Sequence, residues 1–440
     1  MKLIAIGSVV WALLAPAASP AQAGLRPRPT DVPPGQVVTT TAPNALQVYN
    51  DYATEARAYP SRRAVVHYVT LGIDAPPLND DDSDGVPDYV ERVGSAADTA
   101  IDYFEKRGFA AILPDGGGPD ARPDVYVSRF APGYFGVAFP AVQARGGAFV
   151  VVSNALDPSP ERSLGSLYGT VAHELFHLVQ FSYFPKTVEP AIPDWVLEGS
   201  AAAMEARVYP ELADLVSSLQ LRSWLDRPQA SMTTQTYGSQ LLWRYLDEGL
   251  PKLLPRYLGW LAERRAAGAS AAAGLAATYA RVAGRPFAAA FARFAAGVAG
   301  EYAGRIRPLA TLAVGSRANR IVPPLAIHFL RLPRPAHTVR LRVADGRPSV
   351  TLVYEHESVY AGRAAVTRRL PGRLAGGALV FTIPPSLRLS PRFGPATLVV
   401  ANGDPARSGE YSVAVTRGSG GAARPRRRDS QVLEGERSTA

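Results

Sequence analysis

His173-Glu174-Leu175-Phe176-His177 is the stretch on which the reading of this 440-residue chain turns. On an α-helix, residues four apart share a face, so His173 and His177 can point at one ion, with Glu174 beside it. The flanking sequence is helical in pattern. Leu164, Leu167, Val171, Leu175 and Leu178 recur at intervals of three and four and make one apolar stripe. Ser166, Gly169, Thr170, His173, His177 and Gln180 fall on another face, which Gly169 keeps open. Imidazole suits Zn²⁺, and two histidines leave room for a third ligand and a water. Glu174 can take a proton from that water. The same five residues also suit two hydrogen-bonded histidines on a buried helix, so a third ligand is what separates the readings.

Such a ligand lies downstream, in Asp194-Trp195-Val196-Leu197-Glu198-Gly199-Ser200-Ala201, where Glu198 follows His177 by 21 positions. The pattern resembles the gluzincin metallopeptidases, the group that contains thermolysin, in which a second helix carries a glutamate ligand. Trp195, Leu197, Glu198, Gly199 and Ala201 match that context. The resemblance implies a catalytic Zn²⁺ held by His173, His177 and Glu198, with Glu174 as general base. One departure stands out. Thermolysin-like enzymes carry an Asp four residues after the ligand Glu, and this chain has Ala202 there. Glu205, a turn further, can take its place as the carboxylate partner of a histidine N–H, or it is a solvated helix residue. Gluzincins also use a Tyr or His from the downstream half to stabilise the oxyanion. Tyr237 is similarly placed, and a packing tyrosine is the other reading.

A second cation site is legible upstream, in Asp80-Asp81-Asp82-Ser83-Asp84-Gly85-Val86-Pro87-Asp88-Tyr89-Val90-Glu91. Asp80, Asp82 and Asp84 take positions 1, 3 and 5 of a twelve-residue calcium loop. Gly85 makes the turn at 6, Val86 offers its carbonyl at 7, Asp88 sits at 9 and Glu91 at 12. So many carboxylates repel one another without a cation, and hard oxygen ligands suit Ca²⁺. A solvated acidic loop is the plainer alternative. A helix follows, with Val90, Val93, Ala97, Ile101 and Phe104 inward and Gly108 as its stop. No helix precedes the loop, so the expected role is structural. Acidic loop, Asp124-Val125-Tyr126 strand, zinc-type helix and Glu198 segment together resemble secreted bacterial metallopeptidases over roughly residues 64–250.

The remaining chain sets the expected organisation. Met1 to Ala23 reads as a cleaved signal peptide, with Lys2, the apolar run Leu3 to Ala15 and Ala21-Gln22-Ala23 before Gly24. That run is short for a bilayer span, and no later stretch replaces it. Residues 24–60 form an arm or propeptide, helical around Ala45 to Ala58. Residues 61–310 form an α+β, zincin-like domain, with strands at Ala64 to Leu71, Val125 to Val127 and Ala148 to Val152. Its helical half has candidate helices Leu212 to Leu225, Tyr237 to Asp247, Leu253 to Glu263 and Pro286 to Tyr302. The period then changes to two, and residues 311–416 read as a small β-sandwich for surface or substrate attachment. Residues 417–440, with Arg424-Pro425-Arg426-Arg427-Arg428, read as a disordered basic tail.

Composition narrows the function classes. There is no cysteine, so no disulfide staples the fold. The net charge is +9, carried almost wholly by arginines spread along the chain, which does not make a nucleic-acid footprint. The expectation is an exported zinc metallopeptidase acting on protein or peptide substrates, with no transmembrane anchor and no nucleic-acid partner. Two alternatives stay open: a non-catalytic, calcium-binding surface or adhesion protein on the same scaffold, and a metallohydrolase of non-peptide bonds. Neither side-chain preference nor endo- versus exopeptidase action is legible.

Overall fold

Three apolar runs build the first sheet. β2 (Val65–Tyr68), β3 (Asp124–Ser128) and β5 (Ala148–Ser153) are buried along their whole length. They pair in parallel, as doubly covered strands rich in valine do. β1 (Arg57–Pro60) and β4 (Gly136–Pro140) close the edges antiparallel, giving the order β1-β2-β3-β5-β4. The computed structural model describes residues 28–31, 52, 56–117, 120–130, 135–141, 147–158, 166–185, 192–212, 224–264, 270–302, 305–333, 338–356, 366–384 and 396–417. Over these residues the chain is α+β. The signal-peptide reading and all but the first residue of the basic tail lie outside them.

One face of this sheet (Val66, Val125, Val127, Val150, Val152) shares a core with α1 (Asp88–Lys106) and α2 (Leu167–Ser182). The rings of Phe104 and Phe176 meet 5.1 Å apart between those helices. The opposite face (Tyr126, Val137, Phe139, Phe149, Val151) packs against Tyr52. The Tyr52 hydroxyl donates to the carbonyls of His67 and Val127. Nearby, Arg28 forks onto Asp31 at 2.8 Å and stands 3.7 Å from buried Asp115. The described parts of the 24–60 segment are therefore packed against the sheet. The helix expected to reach Ala58 does not: Arg57 and Ala58 belong to β1, where pairing with Tyr68 and His67 outweighs local helical preference. His67 is a strand residue, its Nε2 2.8 Å from Asp124 Oδ1.

Among the described residues five further helices follow: α3 (Asp194–Val208), α4 (Gln240–Gly249), α5 (Leu253–Arg264), α6 (Ala271–Ala283) and α7 (Phe287–Glu301). The helix expected from Tyr237 begins three residues later, because Tyr237–Ser239 forms a separate 3₁₀ turn. Most of the helix expected over 212–225 lies outside the described residues. Buried Asp247 on α4 is bracketed by half-buried Arg107, just past α1, and Arg207 on α3, an ion cluster that ties three helices together.

The C-terminal strands form two more five-stranded sheets. One has the order β11-β10-β14-β8-β6 and the other β12-β13-β9-β15-β7. Their spans are β6 (Ala310–Thr311), β7 (Arg317–Val322), β8 (Ala326–Arg331), β9 (Thr338–Asp345), β10 (Ser349–His356), β11 (Val366–Leu370), β12 (Arg373–Ala375), β13 (Ala378–Thr382), β14 (Thr397–Asn402) and β15 (Gly409–Thr416). Leu330, Leu352, Leu398 and Val400 of the first share a core with Val339, Leu341, Phe381, Tyr411 and Val413 of the second. The other side of the first sheet (Phe329, Val353, Val399) joins the core that contains α7. Among the described residues no helix is long and apolar enough to cross a membrane.

Candidate metal centre

Helices α2 and α3 pack against each other, and a glycine on each makes room for a neighbour. A Cβ at Gly169 would fall 2.6 Å from Glu205 Oε1, so the glycine leaves room for that carboxylate. A Cβ at Gly199 would fall 1.8 Å from Ser239 Oγ, so this glycine lets the Tyr237–Ser239 turn sit on α3. Ser239 Oγ and Trp243 Nε1 both donate to the Trp195 carbonyl and hold the turn there. The Gly in the Glu198-Gly199 pair thus has a packing reason that spacing alone did not show.

This approach brings three buried side chains together. His173 Nε2 lies 3.3 Å from Glu198 Oε2, and His177 Nε2 lies 3.7 Å from the same oxygen. The ligating atoms of His173, His177 and Glu198 all fall within 4.8 Å of one another. The cluster can hold a metal ion. The other ring nitrogen of each histidine is turned away and engaged. His173 Nδ1 is 3.5 Å from Glu205 Oε2, so Glu205 is not a solvated helix residue but faces the histidine. His177 Nδ1 is 2.7 Å from Gln180 Oε1. In the tautomer where each Nδ1 carries the proton towards its outer partner, each Nε2 lone pair faces the common point.

Gln180 lies on the face that the sequence marked, but sequence reading gave it no role. Its amide oxygen accepts from His177, and its Nε2 donates to the Leu197 carbonyl and to Ser200 Oγ, both at 2.9 Å. One fully buried side chain therefore orients a histidine of α2 and clasps α3 on either side of Glu198. The i, i+3 spacing from His177 was the available signal.

Charge in the centre is strongly coupled. Burial alone would lower the His173 pKa, but the Glu198 and Glu205 carboxylates, with Glu174 behind them, hold it well above the usual imidazole range. Burial alone would raise Glu198, yet His177 and His173 hold it well below the usual carboxylate range. Glu174 is raised, chiefly by burial, against the pull of the two histidines. A metal ion needs neutral imidazoles and so competes with the His173 proton.

Glu174 itself is 7% exposed, and its Oε2 has no hydrogen-bond partner among the described residues. It lies against the start of β4: a Cβ at Gly136 would meet Glu174 Cγ at 2.8 Å. The sheet edge thus begins beside this carboxylate, and sequence reading missed β4, whose five residues start at Gly and end at Pro. The Tyr237 ring stands 6.1 Å from that of His173. Burial first, and then the Glu198 charge it faces, push its hydroxyl well above the ordinary phenol range. Neither a family model nor a curated protein matches the chain.

The acidic loop gathers Asp80, Asp82 and Asp84, with one oxygen from each within 4.8 Å of the others, and this exposed group can hold a cation. Backbone N–H groups of Asp84, Gly85 and Val86 donate into the three carboxylates. Gly85 takes a φ of +92°, which the turn at position 6 requires. Asp88 and Glu91 are not within that tight group. Asp88 opens α1, receives the Asp81 N–H and stands 3.4 Å from Arg92. Glu91 is close enough for the loop to act on it: burial and then Asp84, Asp82, Asp88 and Asp80 raise its pKa.

Proposed function

We propose that the chain is an exported zinc-dependent peptidase of the gluzincin type. The observation that carries this reading is the convergence of His173 Nε2, His177 Nε2 and Glu198 Oε2, with both Nδ1 atoms anchored outward and Glu174 adjacent. Ligands about 2.1 Å from a tetrahedral Zn²⁺ stand roughly 3.4 Å apart. The 3.3 Å and 3.7 Å separations from Glu198 fit that spacing. Two imidazoles and one carboxylate are a catalytic rather than a structural donor set, because a position stays open.

The bound ion would act as a Lewis acid that acidifies water and polarises a carbonyl. Glu174, buried with an unengaged Oε2, takes the water proton and later delivers it to the leaving amine. Tyr237 donates to the carbonyl oxygen as negative charge develops there. Glu205 and Gln180 keep the two imidazoles in the tautomer that leaves Nε2 free. The antiparallel edge strand β4, starting against Glu174, supports a zincin-like arrangement in which an extended peptide lies along the edge. Ca²⁺ fits the loop of Asp80, Asp82 and Asp84, with the Val86 carbonyl, Asp88 and Glu91 completing the set. The two C-terminal sheets are read as a β-sandwich and the 24–60 segment as an arm.

The test is Glu174→Gln against wild type on an unfolded protein such as casein, with zinc measured in both. The expected result is one zinc per chain in each and a loss of cleavage of at least a thousandfold in the variant. Cleavage at the wild-type rate would remove Glu174 as the base. Absence of stoichiometric zinc with calcium retained would favour the non-catalytic surface protein.

A further inference from the structure

The outer face of the second C-terminal sheet carries a pattern that neither the core nor the metal centre uses. Cross-strand register sets Arg373 opposite Val380, Val380 opposite Arg340, Arg340 opposite Ala414 and Ala414 opposite Arg317. This row crosses all five strands, with arginine on the first, third and fifth. Strands lie roughly 4.8 Å apart, so the three arginines recur roughly every 10 Å. On one side of the row, Arg342, Ser412 and Asn319 are aligned; on the other, Thr382, Thr338 and Thr416. The acidic residues Asp345 and Glu410 sit together at one end.

All four arginines are exposed. Arg342 reaches the Gly376 carbonyl at 3.3 Å, and among the described residues none of the four pairs with a carboxylate. Many arginines of the N-terminal half are placed differently: Arg28, Arg62, Arg63, Arg107, Arg122 and Arg207 each face an acid. Like charges in a row repel, and an anion laid across them removes that cost. The first C-terminal sheet has its outer side packed towards α7, so this face is the one left to solvent.

We propose that this face binds a linear acidic polysaccharide, a polyuronate, along the Arg373–Arg340–Arg317 row. Guanidinium forks match carboxylates in a bidentate way. The Thr, Ser and Asn side chains beside them both donate and accept, as sugar hydroxyls require. Single-stranded nucleic acid is a poorer fit, because bases stack on aromatic side chains and these three rows have none. A bilayer is a poorer fit too: its interface takes bulky apolar anchors, but Val380 and Ala414 are half-buried between the arginines, and the exposed Ile321 and Leu374 stand apart on the two edge strands, outside the arginine row. With no ring to stack on a sugar, the face holds its ligand by charge and hydrogen bonds, and neutral glycans are not expected to bind.

The experiment uses the full chain, with alginate as the probe and dextran as the neutral control, read by affinity electrophoresis and by titration. Wild type is retarded by alginate and not by dextran, and retardation falls with added salt. Arg317→Ser/Arg340→Ser/Arg373→Ser weakens binding at least tenfold while keeping the wild-type unfolding midpoint. Arg256→Ser/Arg264→Ser/Arg281→Ser, which removes the same charge from exposed positions on α5 and α6, changes binding less than twofold. Arg340→Lys, which keeps the charge and loses the fork, falls between. The proposal is overturned if the face variant binds like wild type, if both triple variants lose binding equally, or if single-stranded DNA or anionic lipid vesicles bind through the same arginines as tightly as alginate.

Discussion

Gln180→Met tests the least conspicuous part of the centre. The substitution keeps side-chain length and apolar bulk while removing one acceptor and two donors, all buried. Ser200 Oγ still donates to the Val196 carbonyl, and the Leu197 carbonyl keeps its place in α3, so these two lose only a partner. His177 Nδ1–H is left buried with none, which costs about 1–3 kcal/mol. The net loss of folding stability should be about 2–4 kcal/mol once the other two bonds are included. Losing such a partner of a ligating histidine also weakens metal binding by about 10–100-fold. Gln180→Glu separates the two effects. It restores the acceptor for His177 but places a carboxylate against the Leu197 carbonyl, so zinc affinity should recover while stability stays low. Zinc affinity is read by competition with a chromogenic chelator, and stability by urea unfolding of the same preparations. If Gln180→Met binds zinc within twofold of wild type, the orienting role is wrong.

Three further outcomes are expected. Gly169→Ala should press Glu205 off His173 Nδ1 and weaken zinc binding about tenfold; unchanged affinity in the chelator competition would show Glu205 to be dispensable. His328, bonded to Tyr411 at 2.8 Å, is pushed down from 6.5 to about 4, first by burial and then by Arg320. A depressed histidine contributes stability that is full above the unfolded pKa and lost as pH falls towards the folded one, about 3 kcal/mol between pH 7 and pH 4. The difference in urea midpoint between wild type and His328→Gln should narrow over that window; a pH-independent difference would refute the burial argument. Calcium at about 100 times its Kd should add about 2.7 kcal/mol, and Asp82→Ser/Asp84→Ser should lose that increment in thermal unfolding with and without chelator.

Parts of this molecule were legible because one local rule sufficed. His173 and His177 converge through helical periodicity, and Asp80, Asp82 and Asp84 gather through loop spacing. Glu198 and Glu205 needed a resemblance or a guess, since nothing local says that α3 crosses α2 at Gly169. Gln180 was on the marked face, but its meaning depends on the Leu197 carbonyl and Ser200, seventeen and twenty residues away. β4 was missed because five residues starting with Gly and ending with Pro carry little strand signal. α6 was not bounded, because the alanines at 270–300 read only as close helix packing, and Trp260 lying where a Gly274 Cβ would go shows which face is covered. The arginine row was invisible for another reason. In sequence its members are 23 and 33 residues apart (340 − 317 and 373 − 340), and only antiparallel register aligns them.

The two candidate ion sites rest on different kinds of support, and this bears on what each ion does to the fold. The zinc-type ligands stand on two helices locked by Gln180, by the Gly169–Glu205 fit and by the Ser239 and Trp243 bonds to Trp195. All of these contacts are made by the protein with itself, so an ion bound there would have little left to order, and its binding energy would be available for affinity. The acidic loop is the reverse case. Its three carboxylates are held mainly by backbone N–H groups of the loop itself, Ser83 and Gly85 take positive φ, and the segment is largely exposed. There a bound ion would supply the cohesion, and α1 begins immediately after the loop at Asp88. Removing the loop ion should therefore loosen the N-terminal turn of α1 and the amides around it, visible as faster hydrogen exchange from Asp84 to Glu91. If the buried cluster holds zinc as proposed, removing that ion should leave exchange in α2 and α3 nearly unchanged while the proposed cleavage is lost.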